Sequence, residues 1–265
     1  MSPSSRRDPL FDPTLPPAQW AAVRRRRRVR GILAVLLTVL VGVAAAWGFR
    51  TLSDRTRNLT PAQVAEAAGL ALLAVERYDF AATLAGSSPD GFFPETQLTG
   101  EYQADPPLLH LAGSVGTGTV RTPFEYYLVD GELYVRQVRS GGWLRAPTAD
   151  AVDVVAFQPD NLAAPLVAGL RGAELLRRER MGDSEAVVLA LDLDPAVMQV
   201  RPPGDGERVL YRLWVDTRTL RPLQFTIQVD RPASTGTSFQ YRLSWTYPES
   251  GPLALPDELR QAAAD

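Results

Sequence analysis

Hydrophobic and polar positions along this chain follow three successive regimes. The first is an unbroken apolar run, Ile32 to Phe49 (ILAVLLTVLVGVAAAWGF), 18 residues without a charge. At about 1.5 Å of rise per residue it spans roughly 27 Å as a helix, enough for the hydrocarbon core of a bilayer. The second has a period of 3.6 and begins at Thr60-Pro61-Ala62-Gln63, with Thr60 as N-cap, Pro61 in the first helical position and Gln63 closing a capping box. The spacing predicts a helix over Pro61–Tyr78, with Val64, Ala68, Leu72 and Val75 as its apolar stripe.

From Phe80 the period becomes 2 and stays so for most of the remaining chain. Strands are predicted at 95–103, 109–115, 120–128, 133–138 and 143–145, then at 174–180 and 186–193, and finally at 209–215, 223–229 and 239–247. Asp130-Gly131 is a two-residue hairpin signal. The last three strands alternate one apolar and one polar face, so an antiparallel meander with a solvated side is expected. Between the halves, residues 146–171 are rich in small apolar residues. Leu162, Leu166 and Leu170 recur there at helical spacing, with Asp160 or Asn161 as the cap and Pro165 early enough to be tolerated.

Charge orients the first regime. Arg24 to Arg28 and Arg30 precede the apolar run, whereas Arg50, Arg55 and Arg57 follow it diluted by Asp54. The arginine excess puts the N-terminal side in the cytoplasm. The expected organisation is a disordered cytoplasmic tail over 1–30, a transmembrane helix over 31–49 and one extracytoplasmic domain over 50–265, in a single-pass protein of the plasma membrane. Ala44-Ala45-Ala46 also offers the small residues of a cleavage site, so a cleaved signal peptide ending after Ala46 is the alternative. The chain has no cysteine, which excludes both a lipid anchor on cysteine and disulfides. Residues 1–49 hold eight arginines against Asp8 and Asp12, and the remainder holds 20 arginines against 28 acids. An acidic outer domain argues against nucleic acid and against electrostatic docking on anionic headgroups.

Catalytic material is sparse. There is one histidine, no cysteine and no lysine. His110 lies among Leu108, Leu109 and Leu111 and reads as an ordinary sheet residue. Asp192 and Asp194 are two apart, but Asp194 precedes Pro195 as a helix cap. Gly113-Ser-Val-Gly-Thr-Gly118 lacks the lysine of a phosphate loop and joins strand to strand. No Gly-x-Ser-x-Gly elbow occurs. No catalytic residue, metal ligand or cofactor is expected, and the chain does not read as an enzyme. What it has in quantity is apolar sheet face, with at least seven strands presenting alternating Leu, Val, Ile, Phe, Tyr and Trp.

The order of elements carries a resemblance. A first helix leads into a meander holding Phe124-Glu-Tyr-Tyr-Leu-Val-Asp-Gly-Glu-Leu-Tyr-Val-Arg136 and Gly142-Trp143, followed by a short helical insert. A late pair, Leu213-Trp-Val-Asp-Thr-Arg-Thr-Leu-Arg-Pro-Leu-Gln-Phe225, completes it. Over about residues 60–247 the chain resembles the superfamily of LolA, LppX/LprG and the N-terminal domain of RseB. The resemblance implies an α+β fold, a curved antiparallel sheet forming a half-open barrel with a few covering helices, here behind an N-terminal transmembrane helix. It also implies a lipid or lipoprotein acyl chain held in an apolar concavity. Leu213, Phe225, Ile227, Tyr241 and Leu243 are its expected floor and Leu162, Leu166 and Leu170 its cover. The alternative, suggested by RseB, is a sensory or protein-interaction module of the cell envelope whose helices fill the same sheet and whose partner is an envelope protein. The chain departs from many relatives in keeping a helix as anchor, which does not suit a long-range shuttle.

Overall fold

A computed structural model of the chain describes residues 54–88, 93–136, 141–147, 152–198, 206–231, 236, 238–248 and 251–264. The predicted tail and anchor lie outside the described residues. Among those described, no helix is long and apolar enough to cross a membrane.

The capping box predicted at Thr60 forms. The Gln63 amide N–H donates to the Thr60 hydroxyl at 3.3 Å, and the Thr60 N–H donates back to the Gln63 side-chain oxygen at 2.9 Å. The helix it starts, α1, ends at Leu73 rather than Tyr78. Arg77 and Tyr78 already belong to strand β1 (Arg77–Ser87), where Tyr78, Phe80 and Ala82 bury one face at period 2. The β-branched and aromatic residues at the end of the predicted helix fit a pleated surface better than a last helical turn.

Five more strands follow as a meander: β2 (Glu95–Gln103), β3 (Leu108–Thr117), β4 (Val120–Val129), β5 (Glu132–Arg136) and β6 (Trp143–Ala146). Asp130 (φ 50°) and Gly131 (φ 83°) make the tight turn between β4 and β5, both left-handed as a primed hairpin turn requires. The second half is another meander: β7 (Leu170–Met181), β8 (Ser184–Leu193), β9 (Arg208–Asp216), β10 (Pro222–Asp230) and β11 (Ser238–Thr246). All eleven form one curved, open antiparallel sheet in the order β6-β5-β4-β3-β2-β1-β11-β10-β9-β8-β7. The two meanders thus meet where the first strand pairs with the last, Phe80 opposite Trp245 and Ala82 opposite Leu243.

This order dictates where the helices lie. β6 and β7 are the two edges of the sheet, so the segment joining them must cross a whole face. It carries α2 (Val152–Val155) and α3 (Pro159–Val167). α1 and α3 pack against each other, with Leu166 and Val167 of α3 close against Gly69. Two clusters fill the space under these helices on what we term the inner face. One gathers Leu72, Tyr78, Phe80, Leu109, Leu128 and Leu243, and the other gathers Val64, Ala68, Leu166, Leu189, Leu213 and Val215.

The outer face, expected to be solvated over the last three strands, is buried in two places. Leu108, Tyr127 and Tyr134 are buried there beneath Leu259 of a C-terminal helix, α4 (Asp257–Ala264). Ala186, Val188 and Trp214 make a second outer cluster with Met181 and Leu223. The Gln103 side chain ties the C-terminal segment down, its oxygen accepting from the Leu253 N–H at 2.7 Å.

Candidate functional site

The five floor residues expected from sequence fall on two adjoining cross-strand rows of the inner face. Leu213 stands opposite Phe225, Phe225 opposite Leu243, Leu243 opposite Ala82 and Ala82 opposite Leu98. In the next row Tyr211, Ile227, Tyr241, Leu84 and Thr96 follow one another across five strands. The side-chain period of 2 makes this inevitable once the register is set, because each strand contributes every second residue to the same face.

Burial separates the five. Leu213 and Leu243 are 0% and 1% exposed, fully enclosed by the helices and their neighbours. Phe225, Ile227 and Tyr241 are half-buried. Tyr211 stacks on Phe225 with ring centroids 6.3 Å apart. Burial pushes the Tyr241 hydroxyl far above the ordinary phenol range, so this group stays a neutral hydrogen-bond donor at any physiological pH.

The cover residues divide differently from expectation. Leu162 packs on the cluster containing Phe80 and Leu243, and Leu166 is buried in the cluster containing Leu213. Leu170 is not on the helix. α3 ends at Val167, and Leu170 opens β7, opposite Leu193. Gln158, with no side-chain cap bond, occupies the N-cap position rather than Asp160 or Asn161, while the Asn161 amide donates to the Val155 carbonyl at 2.7 Å. Phe157, just before α3, stacks on Phe80 at 4.9 Å, and its carbonyl accepts from the Tyr78 hydroxyl. These contacts hold the crossing segment on the sheet.

Toward the far ends of the strands the helical cover thins. Leu84, Leu98, Phe124, Tyr126 and Phe239 continue the inner face there and remain half-buried, and Val115 is exposed. A depression of about 450 Å3 beside Gly113 and Phe124 is lined by Ala112, Pro123, Glu125 and Arg136, so it opens on the outer face and not on this margin. Alternation in the sequence assigns Phe239 to the apolar side but does not mark Leu84. Strand β1 was the harder one, since the switch of period at Phe80 did not by itself isolate a strand.

The remaining candidates resolve into structural roles. His110 sits on the outer face with its ring stacked on Tyr127 at 4.3 Å, Nε2 3.2 Å from Glu125 and Nδ1 3.7 Å from Glu101. Burial, with Glu125 and Glu101 nearby, pushes Tyr127 up to about 12. Asp194 accepts from the Ala196 N–H at 2.9 Å and pairs with Arg171 at 3.0 Å; the backbone bond is the main reason its carboxyl lies below the usual range. Asp192 is exposed. Among the described residues no group of three or more His, Cys, Asp or Glu side chains is placed to hold a metal ion.

No protein-family model and no curated protein matches the sequence. Solved structures do match. LprF from Mycobacterium bovis superposes with a TM-score of 0.52 at 13% identity, over 75% of this chain and 96% of that one. The Mycobacterium tuberculosis lipoprotein LppX gives 0.48 at 12% identity over 72% and 97%, and MucB in complex with MucA(peri) gives 0.36 at 16% identity over 75% and 61%. The fold of the described residues is that of LprF, as the resemblance carried by the ladder strands implies.

Proposed function

We propose that this chain is a membrane-tethered, extracytoplasmic binding protein that holds a lipid or lipoprotein acyl chain on the inner face of its sheet. The observation that carries the reading is the band of half-buried apolar side chains, Leu84, Leu98, Phe124, Ile227, Phe239 and Tyr241, continuous with the buried rows. A strip of partly accessible apolar side chains of this kind suits a flexible hydrocarbon chain. Leu213 and Leu243 serve packing, whereas Phe225, Ile227 and Tyr241 are the floor residues with surface to offer. Leu162 and Leu166 cover the buried rows from the helix, with Leu170 beside them at the start of β7. The anchor is Ile32–Phe49, with the N-terminus cytoplasmic. The acidic domain is poorly suited to nucleic acid, and among the described residues the inner face is lined mainly by aliphatic and aromatic side chains.

The test is native mass spectrometry with solvent extraction on residues 54–265. A stoichiometric co-purifying lipid, lost in an Ile227→Asp or Phe225→Asp variant that keeps its unfolding transition, is the expected result. A folded domain that is empty and takes up no added lipid removes this reading. A second reading then stands on the insertion of Leu162 and Leu166 into the two inner clusters. There the helices themselves fill the sheet, and the domain is an envelope interaction module that meets a protein partner.

A further inference from the structure

The helices bury one side against the sheet; the other side exposes Gln63 and Glu66 of α1 and Asp160 and Asn161 of α3 in its N-terminal turns, but turns apolar toward the C-terminal end of each helix. On α1 Leu70 is 52% exposed and Leu73 42%, and on α3 Val167 is 40% exposed. They share one surface: a Cβ at Gly69 would meet Val167 Cγ2 at 2.8 Å, so Val167 stands beside the turn bearing Leu70 and Leu73. A helix with a face turned to water ordinarily carries charge on it. Here α1 carries only Glu66 and α3 only Asp160. We infer that this face, Leu70 and Leu73 of α1 with Val167 of α3, rests on the surface of the bilayer to which the chain is tethered.

The inference depends on the anchor of the proposed function, and the length of chain before the described residues argues for it. Phe49 closes the apolar run and Asp54 is five residues on, a reach of at most roughly 17 Å. The slack ends there, because Asp54 pairs with Arg178 at 2.7 Å and the Arg55 N–H donates to the Thr217 carbonyl at 2.8 Å. Leu59 then packs into the cluster beneath α1. A tether this short keeps the lipid surface at high effective concentration, so a contact too weak to hold an untethered domain is sufficient. Charge selects the type of contact. The outer domain is acidic, which leaves apolar burial in the interfacial layer as the attraction rather than headgroup electrostatics. A second copy is the poorer occupant, since three half-exposed aliphatic side chains fall well short of the roughly 800 Å2 per partner of a stable interface.

The absence of cysteine permits a direct test on the full chain. Leu73→Cys, with Val167→Cys as a second reporter and exposed Gln240→Cys on the outer face as control, would each carry an environment-sensitive fluorophore in phosphatidylcholine vesicles. The expected result is blue-shifted emission at positions 73 and 167, quenching by a spin-labelled lipid, and iodide quenching several-fold weaker than at position 240. Equal iodide quenching at all three positions, in a chain that stays with the vesicles through alkaline carbonate, overturns the inference and leaves the anchor standing. Release of the chain by carbonate overturns the anchor and the inference together. Protection that rises with protein density at fixed lipid assigns the face to a second copy and also overturns it.

Discussion

Asp216 shows how much one side chain of the late motif does. It is 7% exposed at the β9–β10 turn, and its Oδ1 accepts from the N–H groups of Arg218 and Thr219, both at 2.8 Å, and from the Thr219 hydroxyl at 3.1 Å. Burial raises its pKa, but these bonds and one from Ser184 outweigh it and hold the carboxyl below its ordinary 3.8. A carboxyl depressed in the folded state stabilises fully above its unfolded value and loses that contribution as pH falls through the lower folded value. Asp216→Asn is therefore expected to lose about 1–2 kcal/mol at pH 7. Urea unfolding at pH 7 and again near pH 3 checks it, and the gap to the parent should narrow in acid. A gap of the same size at both pH values would mean that shape, not charge, is what the turn requires. The sequence made the turn legible through Val-Asp-Thr-Arg-Thr. It did not show Ser184 as a partner, because that residue comes from the β7–β8 hairpin and reaches Asp216 only through the pairing of β8 with β9.

Among elements, local rules located starts better than ends. The α1 capping box was visible because all its atoms lie within four residues, whereas its end is set by the pairing of Arg77 with Gln103 in β2, a partner 26 positions away. Leu170 was drawn into a helix by its spacing and is claimed instead by β8. α4 is not legible in the sequence, since among its described side chains Leu259 alone is buried and gives no period to detect. Gly69 is where element packing becomes testable. Valine there lowers intrinsic helix cost slightly relative to glycine, but its Cβ would lie 2.8 Å from Val167 Cγ2 and 2.9 Å from Leu166 Cβ, atoms near stiff branch points. Overpacking wins, and Gly69→Val is expected to cost about 1–3 kcal/mol. Thermal unfolding measures the loss. A neutral or stabilised variant would show that α1 and α3 separate without penalty.

At the scale of the whole molecule, period 2 told which residues share a face but not which strands lie side by side. Hairpin neighbours could be read from Asp130-Gly131 or from the Met181–Ser184 turn, each set by a few residues. The pairing of β1 with β11 joins residues 79–87 to 238–246, and no local signal encodes it. It is selected because Phe80, Ala82 and Leu84 extend the rows begun by Trp245, Leu243 and Tyr241. That junction is in the middle of the sheet, so the two meanders depend on the last strand to become one core. A chain ending after residue 236 leaves β1 and β10 as exposed edges and cuts each inner row in two, with Leu213 on one side and Leu98 on the other. It should show no cooperative unfolding transition, because neither half buries its share of the inner face alone. A chain ending after residue 248 keeps all eleven strands and loses only α4 with the segment leading to it. It should unfold cooperatively at a lower temperature, with Leu108, Tyr127 and Tyr134 newly exposed. Circular dichroism melting of the two truncations decides the matter: a cooperative transition in the shorter chain would make the first meander an independent unit and β11 an accessory to it.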